Sequence, residues 1–133
     1  MPLDMSEARS PEPRAFLWLP VLAYMAFIFA LSSIANPPTV PEGSDKELHM
    51  LLYAGLGLLF ARALAGGWQR VTPRVVIATI VFVALYGASD ELHQYFNPPR
   101  HVEILDVVAD TIGGGLASIG LYAWGIIQAR DGL

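Results

Sequence analysis

The 133-residue sequence contains no cysteine, and charged side chains make up only 15% of it. The first absence excludes disulfides, thiolate metal sites and thiol catalysis, and it removes cysteine usage as a guide to compartment. The second excludes an ordinary soluble domain of this size, in which about a quarter of the residues would be charged. There is no internal repeat beyond a shared hydrophobicity. What is present in excess is apolar: 54% of the residues are hydrophobic and the mean hydropathy is +0.47. The few charges cluster and leave long apolar tracts, the pattern of a membrane protein.

Four segments have the length and composition of membrane spans. They are "AFLWLPVLAYMAFIFALSSIA" from Ala15 to Ala35, "LHMLLYAGLGLLFARALAG" from Leu48 to Gly66, a third from near Val75 into "YGASDELHQ", and a fourth from near Ile104 to Ile127. Each approaches the ~20 residues needed to cross a bilayer. Their connections, "NPPTVPEGS", "GGWQRVTP" and "NPPR", are short and rich in turn formers, with no room for a soluble domain. The first span is preceded by Arg9 and Arg14 and closed by "SSIA", as in a signal peptide. Its apolar stretch is long for one, and three spans follow, so retention as a true span is expected. The fold class is therefore an all-α membrane protein, an antiparallel bundle of four transmembrane helices. Residues 1–14 form an N-terminal tail, 15–128 a single membrane domain and 129–133 a C-terminal tail.

Orientation follows from the positive charges. One face holds Arg9, Arg14, Arg62, Arg70, Arg74 and Arg130; the other holds only Lys46 and Arg100. The termini are expected to be cytoplasmic. The opposite face carries Glu42, Asp45, Glu47, Asp90, Glu91, Glu103, Asp106 and Asp110. Trp18, Trp68 and Trp124 fall near the expected interfaces, as aromatic belts do.

At that acidic face the second span begins, the third ends and the fourth begins. Chain connectivity alone brings "SDKELHMLLY", "YGASDELHQ" and "RHVEILDVVAD" to one depth. Asp45, His49 and Tyr53 are spaced by four, as are Tyr86, Asp90 and Gln94, with His93 alongside, and Asp106 with Asp110. Such spacing stacks side chains on one helix face, and polar stripes in hydrocarbon must face other helices or a watery cavity. Below them lie small residues: Gly57, Ala61 and Ala65, then Gly113 with Ala117 and Gly114 with Ser118, spacings that let helices approach closely in lipid.

The pattern "DKELH…Y", "YGASDELHQYFNPPR" and "ILDVVADTIGGGLAS", over roughly Asp45 to Ser118, resembles the VanZ-like family of small bacterial membrane proteins. The matching positions are Asp45, Lys46, His49 and Tyr53; Glu91, His93, Gln94 and Arg100; and Asp106, Asp110 and Gly113. Asp110 departs from the Asn frequent in that family, which makes the site more acidic. The resemblance implies a multi-pass protein of the bacterial inner membrane and a cell-envelope context, the namesake being associated with teicoplanin resistance; it implies no particular reaction.

The residues themselves admit two roles. His49, Glu91, His93 and Asp106 are candidate catalytic groups, with a histidine as general base, a carboxylate orienting it and Arg100 holding an anion. Lys46, Tyr53, Asp90, Gln94, Arg100 and Asp110 are candidate ligand-binding residues, Arg100 by its fork of donors. The blander alternatives are histidines hydrogen-bonded at the interface, an Asp106 favoured by the start of its helix, and cations that only neutralise local acids. The carboxylates suit Mg²⁺, Mn²⁺ or Ca²⁺, and with the histidines Zn²⁺, although no dense motif such as HExxH is present. Three classes of function follow: binding of an amphiphilic envelope ligand at the outer, periplasmic face; a membrane-embedded hydrolase or transferase acting on a lipid-linked phosphate or acyl group; and a transporter, disfavoured by the apolar inner half. Expected partners are membrane lipids and an amphiphilic or lipid-linked ligand, with no nucleic acid.

Overall fold

A computed structural model describes residues 13–33, 45–96 and 104–131, without the side chains of Asp45 and Asp131. It consists of four α-helices: α1 Arg14–Ser32, α2 Asp45–Ala65, α3 Pro73–Tyr95 and α4 Ile104–Asp131. The apolar stretches within them are 19, 20, 23 and 27 residues long and could each cross a membrane. At 1.5 Å per residue even the first covers about 28 Å, close to the ~30 Å hydrocarbon thickness. The described residues contain no strand.

The helix ends differ from the apolar runs in a way that matters for function. α2 starts three residues before Leu48, so Lys46 rides on the helix instead of preceding it. α3 continues to Tyr95, so the whole of "YGASDELHQY" is helical. Its start is fixed by Pro73, pre-organised for a first turn, and by Thr72, whose hydroxyl accepts a 3.3 Å hydrogen bond from the Val75 N–H. α2 is closed by Gly66 at φ 86°, a left-handed conformation that relieves the end of the helix; Gly66 and Gly67 both donate to the Arg62 carbonyl.

Successive helices run antiparallel, which sets α2 and α4 side by side with the same direction. α4 packs most extensively on α2 and α3, and α1 lies chiefly against α2. The outer surface is apolar, with residues such as Leu51, Leu85 and Leu105 exposed, as on a lipid-facing bundle. Inside, Leu17, Val21, Ile28, Leu56 and Val83 are buried around a ladder of rings. Phe60 and Phe82 stack at 4.0 Å, and Tyr86 continues the stack at 6.1 Å.

The small residues do what their spacing predicts. Gly57 of α2 sits directly against Gly114 of α4: a methyl group on Gly57 would lie 2.7 Å from the Gly114 Cα. Gly113 lies against the Met50 backbone in the same interface. Ala61 and Ser118 are fully buried. This close α2–α4 seam lies just below the polar ends of the two helices and sets the distance between them.

Candidate functional site

Among the described residues the polar side chains make two sets of contacts. The central set lies between α2, α3 and α4. Lys46 Nζ donates to Asp106 Oδ1 at 2.5 Å. One turn further along α2, His49 Nδ1 is 2.8 Å from Asp110 Oδ1, while its Nε2 faces Asp106 Oδ2 at 3.7 Å. A single imidazole is thus held between two carboxylates that α4 presents four residues apart. Glu91 of α3 is buried and faces the same space: one carboxylate oxygen of Glu91, one of Asp106 and a ring nitrogen of His49 all lie within 4.8 Å of one another.

Asp110 is the deepest of these groups, about 9 Å along the axis from the start of α4. It is fully buried. Space for it comes from Gly87, one turn before Glu91 on α3: a methyl group there would lie 2.7 Å from Asp110 Oδ2. That oxygen has no hydrogen-bond partner among the described residues, and neither has the buried hydroxyl of Tyr53, one turn below His49 on α2. The Tyr53 ring sits 6.2 Å from that of Tyr86.

The lateral set joins α3 to α1. Ser32 Oγ donates to Asp90 Oδ1. Ser33 Oγ and His93 Nε2 are 2.9 Å apart, and the His93 ring stacks on Phe29 at 4.4 Å and 22°. Tyr86 anchors the same pair of helices lower down, donating to the Met25 carbonyl at 2.7 Å. Gln94 is buried on α3. Arg100, Glu42 and Glu103 lie outside the described residues, as does the side chain of Asp45.

The structure therefore brings together Lys46, His49, Glu91, Asp106 and Asp110, and it directs Asp90 and His93 to α1. Sequence reasoning missed the α1 contribution of Phe29, Ser32 and Ser33, and the role of Gly87. The available signals were a serine pair closing an otherwise apolar span, and a glycine four residues before Glu91.

In electrostatic terms the central set is acidic. Three carboxylates from the described helices meet one ammonium and one imidazole. Burying charge in a bundle is costly unless each group is paired, and here the pairing is across helices: α2 supplies Lys46 and His49, and α4 supplies Asp106 and Asp110. Such a set can hold a cationic group, orient an imidazole as a proton acceptor, or offer mixed nitrogen and oxygen donors.

The four helices coincide with one family match. The family model VanZ/LLP1 matches residues 14–127, from the first residue of α1 to near the end of α4. No curated protein and no solved structure matches the chain. A match of that extent covers all but the last few residues of the four described helices and includes both polar sets, and the chain, a multi-pass membrane protein, belongs to the VanZ/LLP1 family.

Proposed function

We propose that this VanZ/LLP1-family protein binds the polar part of an amphiphilic envelope molecule, a lipid headgroup or a lipoglycopeptide-type antibiotic, and contributes in this way to glycopeptide (teicoplanin) tolerance. The observation that carries the reading is the buried central set: Lys46, His49, Glu91, Asp106 and Asp110 converge from three helices at one end of a bundle whose flanks are apolar. An amphiphile meets both chemistries at such an end. Its tail runs along exposed side chains such as Leu51 and Leu105 while its headgroup reaches the charged groups. The second oxygen of Asp110, which has no hydrogen-bond partner among the described residues, favours a headgroup bearing an amine. On the arginine distribution, this end faces the periplasm of a bacterial inner membrane and the termini face the cytoplasm.

The test is binding to the purified protein in lipid nanodiscs. A lipoglycopeptide is compared with the same scaffold lacking its acyl chain, and co-purified lipid is identified by mass spectrometry. The reading expects retention of acylated ligand or of a specific lipid, weakened by Asp106→Asn and Glu91→Gln. Equal binding of acylated and deacylated scaffolds, with no enriched lipid, overturns it.

A second reading, a hydrolase or transferase acting on a lipid-linked phosphate or acyl group, is supported by the position of His49 between Asp106 and Asp110. A carboxylate that fixes one ring nitrogen leaves the other to act as general base. Turnover of a lipid-linked phosphate that His49→Gln abolishes, with binding retained, would select it.

A further inference from the structure

We infer that His49, Glu91 and Asp106 form a site for one divalent transition-metal ion, and that Asp110 positions His49 for it. The geometry comes first. Three donors held by one ion at ~2.0–2.2 Å lie roughly 3.4–3.8 Å from one another. The three candidate donors lie within 4.8 Å of one another, so side-chain adjustment of about 1 Å gathers them. The 3.7 Å between His49 Nε2 and Asp106 Oδ2 is too long for a hydrogen bond. It is close to the roughly 3.4 Å that tetrahedral geometry gives two such ligands.

The hydrogen bonding around His49 points the same way. Nδ1 is 2.8 Å from Asp110 Oδ1. A proton on Nδ1 donated to that carboxylate leaves the Nε2 lone pair directed at Asp106. This is the carboxylate–imidazole arrangement that holds a metal-binding histidine in one tautomer. Asp106 is divided in a complementary way: Oδ1 takes the Lys46 ammonium, and Oδ2 is the oxygen turned to His49.

Asp110 supplies an independent observation. It is fully buried, and its second oxygen has no hydrogen-bond partner among the described residues. That oxygen lies against Gly87, on the face of α3 that carries Glu91 one turn away. A carboxylate in this position asks for positive charge between α2, α3 and α4. Among the described residues Lys46 meets Asp106, and a divalent ion supplies positive charge beside the Asp110 oxygen that has no hydrogen-bond partner among them. One imidazole nitrogen with two carboxylates suits Zn²⁺ or Mn²⁺ better than Ca²⁺ or Mg²⁺, which prefer oxygen alone.

This site does not depend on the amphiphile reading, because its test contains neither antibiotic nor added lipid. The full-length protein in detergent is stripped with chelator and titrated with Zn²⁺ or Mn²⁺ alone; affinity is read by calorimetry and bound metal by elemental analysis. One ion per chain is expected. Asp106→Asn and Glu91→Gln should each lower affinity by at least about 100-fold, and Asp110→Asn by about 10–100-fold. Glu47→Gln, which removes an exposed acid at the same end of α2, should leave affinity unchanged. Co²⁺ loaded into the unaltered protein should show the visible bands of a nitrogen- and oxygen-ligated ion, a reading that needs no variant to fold. Absence of stoichiometric binding, absence of those bands, or an affinity that Asp106→Asn and Glu91→Gln leave intact overturns the site. Loss of the metal result with lipid binding preserved would leave the headgroup reading standing alone.

Discussion

Gly57→Ala should weaken the bundle, although alanine is the better helix former. An added Cβ would lie 2.7 Å from the Gly114 Cα, 2.8 Å from its carbonyl oxygen and 3.1 Å from its carbonyl carbon. Ordinary carbon contacts are about 3.5–4.0 Å, so α2 and α4 must part locally by about 1 Å. The obstacle is backbone and cannot rotate away. Overpacking of this kind costs about 1–3 kcal/mol, against a gain of roughly 0.5–1 kcal/mol for replacing a helical glycine. The net expectation is a loss of roughly 0.5–2 kcal/mol. The same separation is felt at the polar end, because α2 carries Lys46 and His49 while α4 carries Asp106 and Asp110. Gly120→Ala is the internal control: it sits on α4 with nothing within 4 Å of the added methyl, and it should cost nothing. Unfolding in mixed micelles with a denaturing detergent, followed by circular dichroism, measures both. Gly57→Ala as stable as the parent, or a Gly120→Ala equally damaging, would refute the reasoning.

Arg62→Gln should destabilise the opposite end of the bundle by about 1–2 kcal/mol in the same assay, since the buried guanidinium sits 5.0 Å from the Phe16 ring centre and 4.9 Å from that of Trp68; Arg62→Lys should recover only part of the loss. Ser32→Ala with Ser33→Ala should loosen α1 from α3, seen as faster proteolysis of α1, while leaving the ligand affinity of the central set within about threefold if the two sets are independent. Topology is tested by single cysteines, against a background that has none: those at Asn97 and Glu42 should react with an impermeant thiol reagent in whole cells and one at Trp68 should not, and the reverse pattern would move the polar end to the cytoplasm.

The four helices were legible because hydrocarbon imposes a length and a composition that can be counted along the chain. The depth of the polar groups was legible for a similar reason: three motifs had to meet wherever α2 begins, α3 ends and α4 begins. Spacings of four also placed His49 one turn from Tyr53, and Asp106 one turn from Asp110. What could not be read was the direction each residue of "DELHQ" takes around α3. Neighbours on a helix are turned by about 100°, so Asp90, Glu91, His93 and Gln94 fan across more than one face. Which face meets α1 and which meets α4 is decided by packing, above all by the Gly57–Gly114 seam and by the notch at Gly87 that admits Asp110. α1 itself offered little to read, since its contribution rests on a ring and two hydroxyls at the end of an apolar run.

The division into two sets bears on whether the polar end is only glue. Helices in lipid can be joined through hydroxyls and amides, which satisfy one another without adding net charge. The lateral set relies on two hydroxyls in this way, although it also holds the buried carboxylate of Asp90: Ser32 meets Asp90, and Ser33 meets His93 beneath a Phe29 ring. The central set does not. Among the described residues it gathers Glu91, Asp106 and Asp110 near Lys46 and His49, and it buries Asp110 completely, where an asparagine of nearly the same size would carry no charge. A structural role gains only the contact to His49 from that extra carboxylate, against the cost of concentrating like charge away from water. A site that must hold a cation gains directly, since the cost is offset whenever positive charge enters. Asp110→Asn therefore separates the two explanations. It should raise the stability of the ligand-free protein while lowering its affinity for the cation or headgroup, whereas a purely structural Asp110 would give lower stability and no change in binding.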